Sequence, residues 1–445
     1  MLTLTKGLTR PARSARVAPS AVRRAAVFRR LMFYGWRVAA ASFAILFVIV
    51  GIVYYSFPVF YAPLIEEFGW TRAQVTAGFA ISIVIIGPLF GISAGFLIDR
   101  FGPRRILLVG LLFAGTAFLG YGWMHSLGVY YLFYFLQTGG YVVAGPIPNQ
   151  VLICNWFDRL RGRAMGGAYV GIGIGGAAAP LAAQFLIDHA GWRWAMRSIS
   201  AGILLVLIPV TLKLVRNRPS DLNLLPDGES AAGQARSTPS ATAGFDALAD
   251  VLRTRAFWLI ALGSFMSIGA IGGVIQHLVL YLRDSGFPAQ QAARVASILL
   301  VSSIVGRIIM GWLADRFPKK YVMLAACLSV AGAIPLLYSP DLEHMAYVFA
   351  VIFGFGMGAD YMMIPLITAE CFGLRSLGRI MGVIITTDSL GQAFAPVIVG
   401  HIYDVSKSYD WAFALLTAMA GCGALAIALV KKPRLPEGCR RGVEA

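Results

Sequence analysis

The stretch GFLIDRF occupies Gly95–Phe101, and GWLADRF returns at Gly311–Phe317, 216 residues later. Each ends a long apolar run and leads into another. The same offset pairs Arg159, Gly162, Arg163, Met165 and Gly166 with Arg375, Gly378, Arg379, Met381 and Gly382. It also pairs Gly175, Ala179, Pro180 and Asp188 with Gly391, Ala395, Pro396 and Asp404. One register held over separated segments marks the two halves as copies of one unit.

The chain has 445 residues, 58% hydrophobic and 13% charged, with a mean hydropathy of +0.73. That composition describes a membrane protein. Runs of about 20 apolar residues are long enough to span a bilayer as helices. Twelve such runs are expected, at 37–58, 75–98, 105–124, 129–152, 163–186, 194–214, 256–281, 291–313, 320–339, 344–368, 379–402 and 410–431. The fold class expected is an all-α membrane protein with two pseudo-symmetric six-helix bundles. The expected division is a basic tail (1–34), a first bundle (35–214), a linker (215–255), a second bundle (256–431) and a tail (432–445). The linker is rich in Pro, Ser, Ala and Gly. Its end, FDALADVLRTR (245–255), is amphipathic, as in a helix lying on the membrane surface.

Charge orients the helices. Arg100, Arg104, Arg105, Arg159, Arg161, Arg163, Arg316, Lys319, Lys320, Arg375 and Arg379 fall in one set of loops. Glu66, Glu67, Asp188, Asp341 and Glu343 fall in the other. By the positive-inside rule both termini are cytoplasmic and the chain is a multi-pass protein of the cell (inner) membrane. The formal charge of +17 is dispersed, without the basic face and aromatic platforms of a nucleic-acid binder. Residues 1–31, rich in Arg, Ala and Ser, resemble a transit peptide, but the preferred reading is a basic cytoplasmic tail or sequence ahead of a start at Met32.

Five scattered cysteines and five scattered histidines offer neither a disulfide frame nor a metal site. GISAG (91–95) and GIGIGG (171–176) match nucleophile-elbow and dinucleotide patterns, but both lie in apolar runs where a strand is required. No enzyme chemistry, cofactor or ATP drive is expected.

GFLIDRFGPRR (95–105) resembles the loop motif between helices 2 and 3 of the major facilitator superfamily, and GWRWAM (191–196) fits it as well. Within it, EEFGWTRAQV (66–75), NWFDRLRGRAMGGAYVGIGIGG (155–176), RPSDLNLLPDG (218–228), HLVLYLRDSGF (277–287) and GRIIMGWLADR (306–316) resemble the monocarboxylate-transporter and oxalate/formate-antiporter group. The function expected is a proton-coupled symporter of a small organic monocarboxylate, working as a monomer by alternating access. An alternative is a transporter of a neutral or cationic solute or drug.

Three ionisable residues lie deep in runs eight, ten and eleven without a charged counterpart in the other half. Arg307 pairs with Gly91, Asp360 with Ala144 and Asp388 with Ile172. A helix-centre arginine costs about 2.5–3.5 kcal/mol to insert. Such residues usually face a cavity and pair with one another. A guanidinium fork fits a carboxylate at two points, and in the resembled family the arginine of this helix binds the substrate carboxylate. The competing reading of Arg307 is a structural ion pair with Asp360 or Asp388.

The resembled mammalian members place an Asp where Ser303 stands and a lysine in helix 1, where this chain has Tyr54 and Tyr55. Oxalate antiporters carry a second cation near Asp388, which argues for a monocarboxylate here. A proton carrier then falls to Asp388 or Asp360. Prolines in runs four and ten (Pro146, Pro148, Pro365) predict broken helices at matching heights, with Asn149 and Tyr141 as hydrogen-bonding groups. His277 aligns with a histidine of the resembled family and is placed at the outer end of the cavity or as an interfacial hydrogen bonder. Asp99, Arg100, Asp315 and Arg316 are expected in a cytoplasmic gate.

Overall fold

Apolar runs bounded by polar caps satisfy their backbone groups within one segment, which in a lipid environment dictates helices. The computed structural model describes residues 33–228, 248–339 and 341–433. In chain order the long helices are α1 (Tyr34–Phe68), α2 (Arg72–Phe101), α3 (Pro103–Tyr121), α4 (Leu127–Ala144, continued by Pro146–Trp156), α5 (Arg161–Ala190) and α6 (Trp192–Leu214). The second set is α7 (Arg255–Asp284), α8 (Ala289–Ala314), α9 (Lys319–Tyr338), α10 (Leu342–Phe372), α11 (Leu377–Ser406) and α12 (Asp410–Leu429). Ten helices among the described residues are long and apolar enough to cross a membrane. The other two expected runs fall in the 30-residue α2 and the divided α4. The face where α1 begins and α12 ends is called the terminal face below.

Local signals set the ends. Thr71 and Gln74 cap α2 reciprocally, Gln74 N donating to Thr71 Oγ1 at 3.2 Å and Thr71 N to Gln74 Oε1 at 2.9 Å. Gly102, with φ +81°, ends α2, and Pro103 opens α3. The second copy of this turn is one residue shorter and caps α9 with Pro318 instead.

The bundles meet along two seams, α2 against α11 and α5 against α8. The repeat equates α2 with α8 and α5 with α11, so each seam is the symmetry mate of the other. Small residues allow the closest approaches. A Cβ on Gly51 of α1 would collide with the Gly175 backbone of α5, and one on Gly306 of α8 with the Phe355 carbonyl of α10.

Four features differ from the expectation. α4 breaks at Gly145, but α10 runs unbroken through Pro365, so the two interruptions do not match. α1 widens into a π-helix over Phe47–Tyr55. The start of the linker is folded: Trp156 Nε1 donates to Arg216 O (2.7 Å), Arg104 N to Asn217 Oδ1 (2.9 Å), and Asp158 N and Arg159 N to Asp227 Oδ2 (3.1 and 2.6 Å). The short helix Leu248–Leu252 buries Val251 and packs on α7 and α11, contacts that amphipathicity alone did not predict. The readings of residues 1–31 and of the far tail fall outside the described residues, apart from positions 432 and 433.

Gly51→Leu forces apart the α1–α5 contact. The expected result is destabilisation by about 1–3 kcal/mol, the usual range for overpacking, read as a lower thermal unfolding temperature in detergent.

Candidate substrate site

Away from the terminal face, a cavity of about 340 Å³ opens between the bundles. Tyr54, Tyr55 and Tyr61 of α1 and Tyr134, Gln137, Thr138 and Tyr141 of α4 line one side; Gln276 of α7 and Ser389 and Gln392 of α11 line the other. The π-helical turn carries Tyr54 and Tyr55 into it; such segments recur at functional sites. Tyr54 stacks on Tyr141, with centroids 4.8 Å apart and planes at 19°, and meets Tyr55 edge-on at 5.1 Å. Gln137 fixes the wall, its Nε2 donating to Val53 O (2.7 Å) and its Oε1 accepting from Tyr121 OH (2.8 Å).

Arg307 lies on the face of α8 that meets α5. Its Nη1 donates to Ser303 Oγ at 2.8 Å, and Ser303 Oγ donates to Leu300 O at 2.7 Å. The Nε is buried without a hydrogen-bond partner. A Cβ on Gly173 of α5 would come within 3.1 Å of Nη1, and one on Gly176 within 3.3 Å of the Tyr55 ring. Three residues of α5 separate these contacts, a rise of about 4.5 Å, so the guanidinium lies just below the Tyr55 ring. Arg307 itself is not part of the cavity lining.

The two carboxylates are elsewhere. Asp388, 2% exposed, accepts from Ser264 Oγ of α7 at 2.6 Å. Asp360, 0% exposed, accepts from Cys327 Sγ of α9 at 3.4 Å. Each keeps its Oδ2 buried and unpartnered, and neither lines the cavity. No ion pair joins either to Arg307. The expected common cavity fails because equal depth does not fix the direction around a helix. Gly358 packs on Ser303 O of α8, so Asp360, two residues and about 200° further round, points away from α8 towards α9. Gly391 packs on Phe265 O, and Asp388, three residues back on the same side, faces α7 with it.

Asn149 is also drawn away from the cavity. Its Nδ2 donates to Ala144 O (3.1 Å) and Gly145 O (2.7 Å), satisfying carbonyls at the α4 break. His277 joins helices: Nε2 lies 3.0 Å from Pro396 O of α11 and Nδ1 3.4 Å from Tyr409 OH.

At the terminal face, carboxylates cross both seams. Asp99 of α2 accepts from Gly378 N (3.1 Å), Arg379 N (3.2 Å) and Arg379 Nε (2.9 Å) of α11. Asp315, after α8, accepts from Gly162 N (2.6 Å) and Arg163 N (3.2 Å) of α5, with Arg163 Nε at 3.4 Å. The adjacent arginines take no part in these crossings. Arg100 lies over the Phe101 ring at 5.4 Å and Arg316 over Trp312 at 3.7 Å.

This geometry, two like bundles closed at one face around a central cavity, agrees with the comparisons. The sequence profile of the Major Facilitator Superfamily matches residues 4–153, 43–359 and 286–444. The chain belongs to that superfamily. Among curated relatives, monocarboxylate transporter 13 of Bos taurus is 29% identical over 88% of each chain. Monocarboxylate transporter 12 of Mus musculus is 27% identical over 86% of this chain and 82% of its own. The crystal structure of the superfamily transporter FucP in the outward conformation superposes with a TM-score of 0.69 at 15% identity, covering 91% of this chain and all of FucP.

Within this superfamily fold, sequence reasoning missed the cavity amides Gln137, Gln276 and Gln392, although each is a polar residue inside an apolar run. It also missed Arg163 and Arg379 as partners of the two carboxylates. Their signal was available, since they are themselves a repeat pair.

Burial pushes the Asp315 carboxyl from its ordinary 3.8 up to about 6, against the opposing pull of the Gly162 and Arg163 amides and the Arg163 charge. The folded chain therefore takes up a proton that a solvated carboxylate releases. Stability from this group is greatest below pH of about 4 and is lost as pH rises to about 6. Comparison of unfolding temperature against pH should show this slope in the native protein and a flatter profile in Asp315→Asn.

Proposed function

We propose that this transporter carries an organic monocarboxylate together with a proton, by rocking of its two bundles across the cell membrane. The observation that carries the reading is Arg307: a guanidinium deep in the helices, anchored by one serine, with a buried unpartnered N–H and no counter-carboxylate among the described residues. A partly buried charge at this depth is costly unless something pairs with it. A substrate carboxylate supplies that pairing and accepts from the planar fork at two points. The similarity to proteins named monocarboxylate transporters supports the same cargo class.

Coupling falls to Asp388 and Asp360. Both are buried and both retain an unpartnered oxygen. An unpartnered carboxylate oxygen is where a coupled proton would sit. Their removal from the cavity lining weakens the case for a cationic cargo, which needs an acid facing the ligand.

In this proposal the terminal face is cytoplasmic, consistent with its basic loops. Asp99 with Arg379, and Asp315 with Arg163, then form the cytoplasmic gate, shut while the cavity is open on the other side. A single chain carries both bundles, so a monomer suffices.

Uptake into proteoliposomes across a panel of carboxylic acids tests the reading. An inward proton gradient should accelerate uptake. Arg307→Ala should weaken affinity roughly 10- to 100-fold, the range for loss of a charged hydrogen bond. Asp388→Asn should abolish gradient-driven accumulation while leaving exchange of internal for external acid. Indifference of the native protein to the gradient would sink the proton coupling.

A further inference from the structure

We infer that the cargo is an aryl-substituted monocarboxylate, an arylalkanoic acid, in preference to a short aliphatic acid; this rests on the carboxylate reading above and narrows it. The two walls of the cavity differ in chemistry. The α1–α4 wall is aromatic: Tyr54 and Tyr141 lie stacked at 4.8 Å, and Tyr55 stands edge-on to Tyr54. The facing wall presents the amides of Gln276 and Gln392. Tyr55 is 49% exposed despite its place between two bundles, so much of its ring is left uncovered by protein.

An uncovered ring beside a rigid stacked pair is a platform for a flat apolar group. Offset-stacked and edge-to-face contacts each strengthen binding beyond what burial alone provides. A short acid bound at Arg307 would leave this wall facing water. The spacing is also informative. Along α5, the guanidinium contact at Gly173 and the ring contact at Gly176 are separated by about 4.5 Å. A ligand whose carboxylate reaches Arg307 past the Tyr55 edge therefore brings its ring to the tyrosines through a short methylene spacer. The amides opposite are placed to hydrogen-bond a polar substituent on that ring. The cavity volume of about 340 Å³ lies in the range of pockets that enclose ligands larger than a three-carbon acid.

Thermal-shift titration of the purified full-length protein in detergent tests this with 3-phenylpropionate, hexanoate and 3-phenylpropanol. The aryl acid should half-saturate at a concentration at least roughly tenfold below hexanoate, since each ring contact contributes about two- to tenfold. Tyr55→Phe should keep that ratio, and Tyr55→Leu should bring it to within about twofold. Hexanoate binding as tightly as the aryl acid overturns this inference and leaves the carboxylate reading standing, as does an unchanged ratio in Tyr55→Leu. Should that variant fail to fold, the native ratio decides. The alcohol binding as tightly as the acid overturns the carboxylate reading itself, and binding of none of the three overturns both.

Discussion

The approach of α5 to two neighbours at backbone distance is the constraint on which the rest of the site depends. Glycines make it possible. Gly171 and Gly175 lie against Phe43 O and Phe47 O of α1, while Gly162 and Gly166 lie against Gly311 O and Arg307 O of α8. Lipid tails give helices no hydrophobic reason to associate, so close van der Waals packing of small residues must supply it. Because α5 is pressed between them, α1 and α8 are held at fixed height relative to one another. That is how Tyr55 from one and Arg307 from the other come to adjoin the same short stretch of α5.

The electrostatics follow from this packing. A guanidinium with an acid beside it would be neutralised within the protein and would have little left for a ligand. Here the carboxylates are turned into the second bundle, where Ser264 and Cys327 hold one oxygen of each. The guanidinium and the two carboxylates thus have separate partners on separate helices. Alternating access needs a link between them, and α8 and α10 provide a mechanical one through the glycine contact of Gly358 on Ser303 O. Ser303 is also the residue that anchors Arg307, so a shift of α10 against α8 would move the guanidinium's support.

Much of this was legible in the sequence. The 216-residue register, the apolar runs and the charge bias of the loops specify the helices and the two copies, because membrane burial restricts the backbone so severely. Arg307, Tyr54, Tyr55 and Tyr141 were recognisable as polar groups where hydrocarbon is expected. What could not be read was azimuth. Asp360, Asp388 and Arg307 have the right depth, but which neighbour each faces depends on glycine contacts between distant segments. Asn149 shows the same limit. A buried amide three residues beyond a proline suits a ligand, yet it is taken up by the carbonyls that the break itself exposes. Pro365 was misleading for the opposite reason, since one proline alone left α10 continuous.

The repeat separates what holds the fold from what distinguishes its halves. Matched positions do matched work: Gly175 packs α5 on α1 as Gly391 packs α11 on α7, and Asp99 and Asp315 cap symmetry-related amides across the two seams. The unmatched positions are Arg307, Asp360 and Asp388, all in the second half, opposite Gly91, Ala144 and Ile172. The first half answers with an aromatic wall in place of charge. A duplicated scaffold needs its closing contacts in both copies if it is to rock about a shared axis. It has no such need for two copies of its chemistry, because a single cavity on the axis is seen by both halves. A two-bundle carrier with one central cavity therefore requires symmetric closure and leaves its chemistry free to differ between the halves.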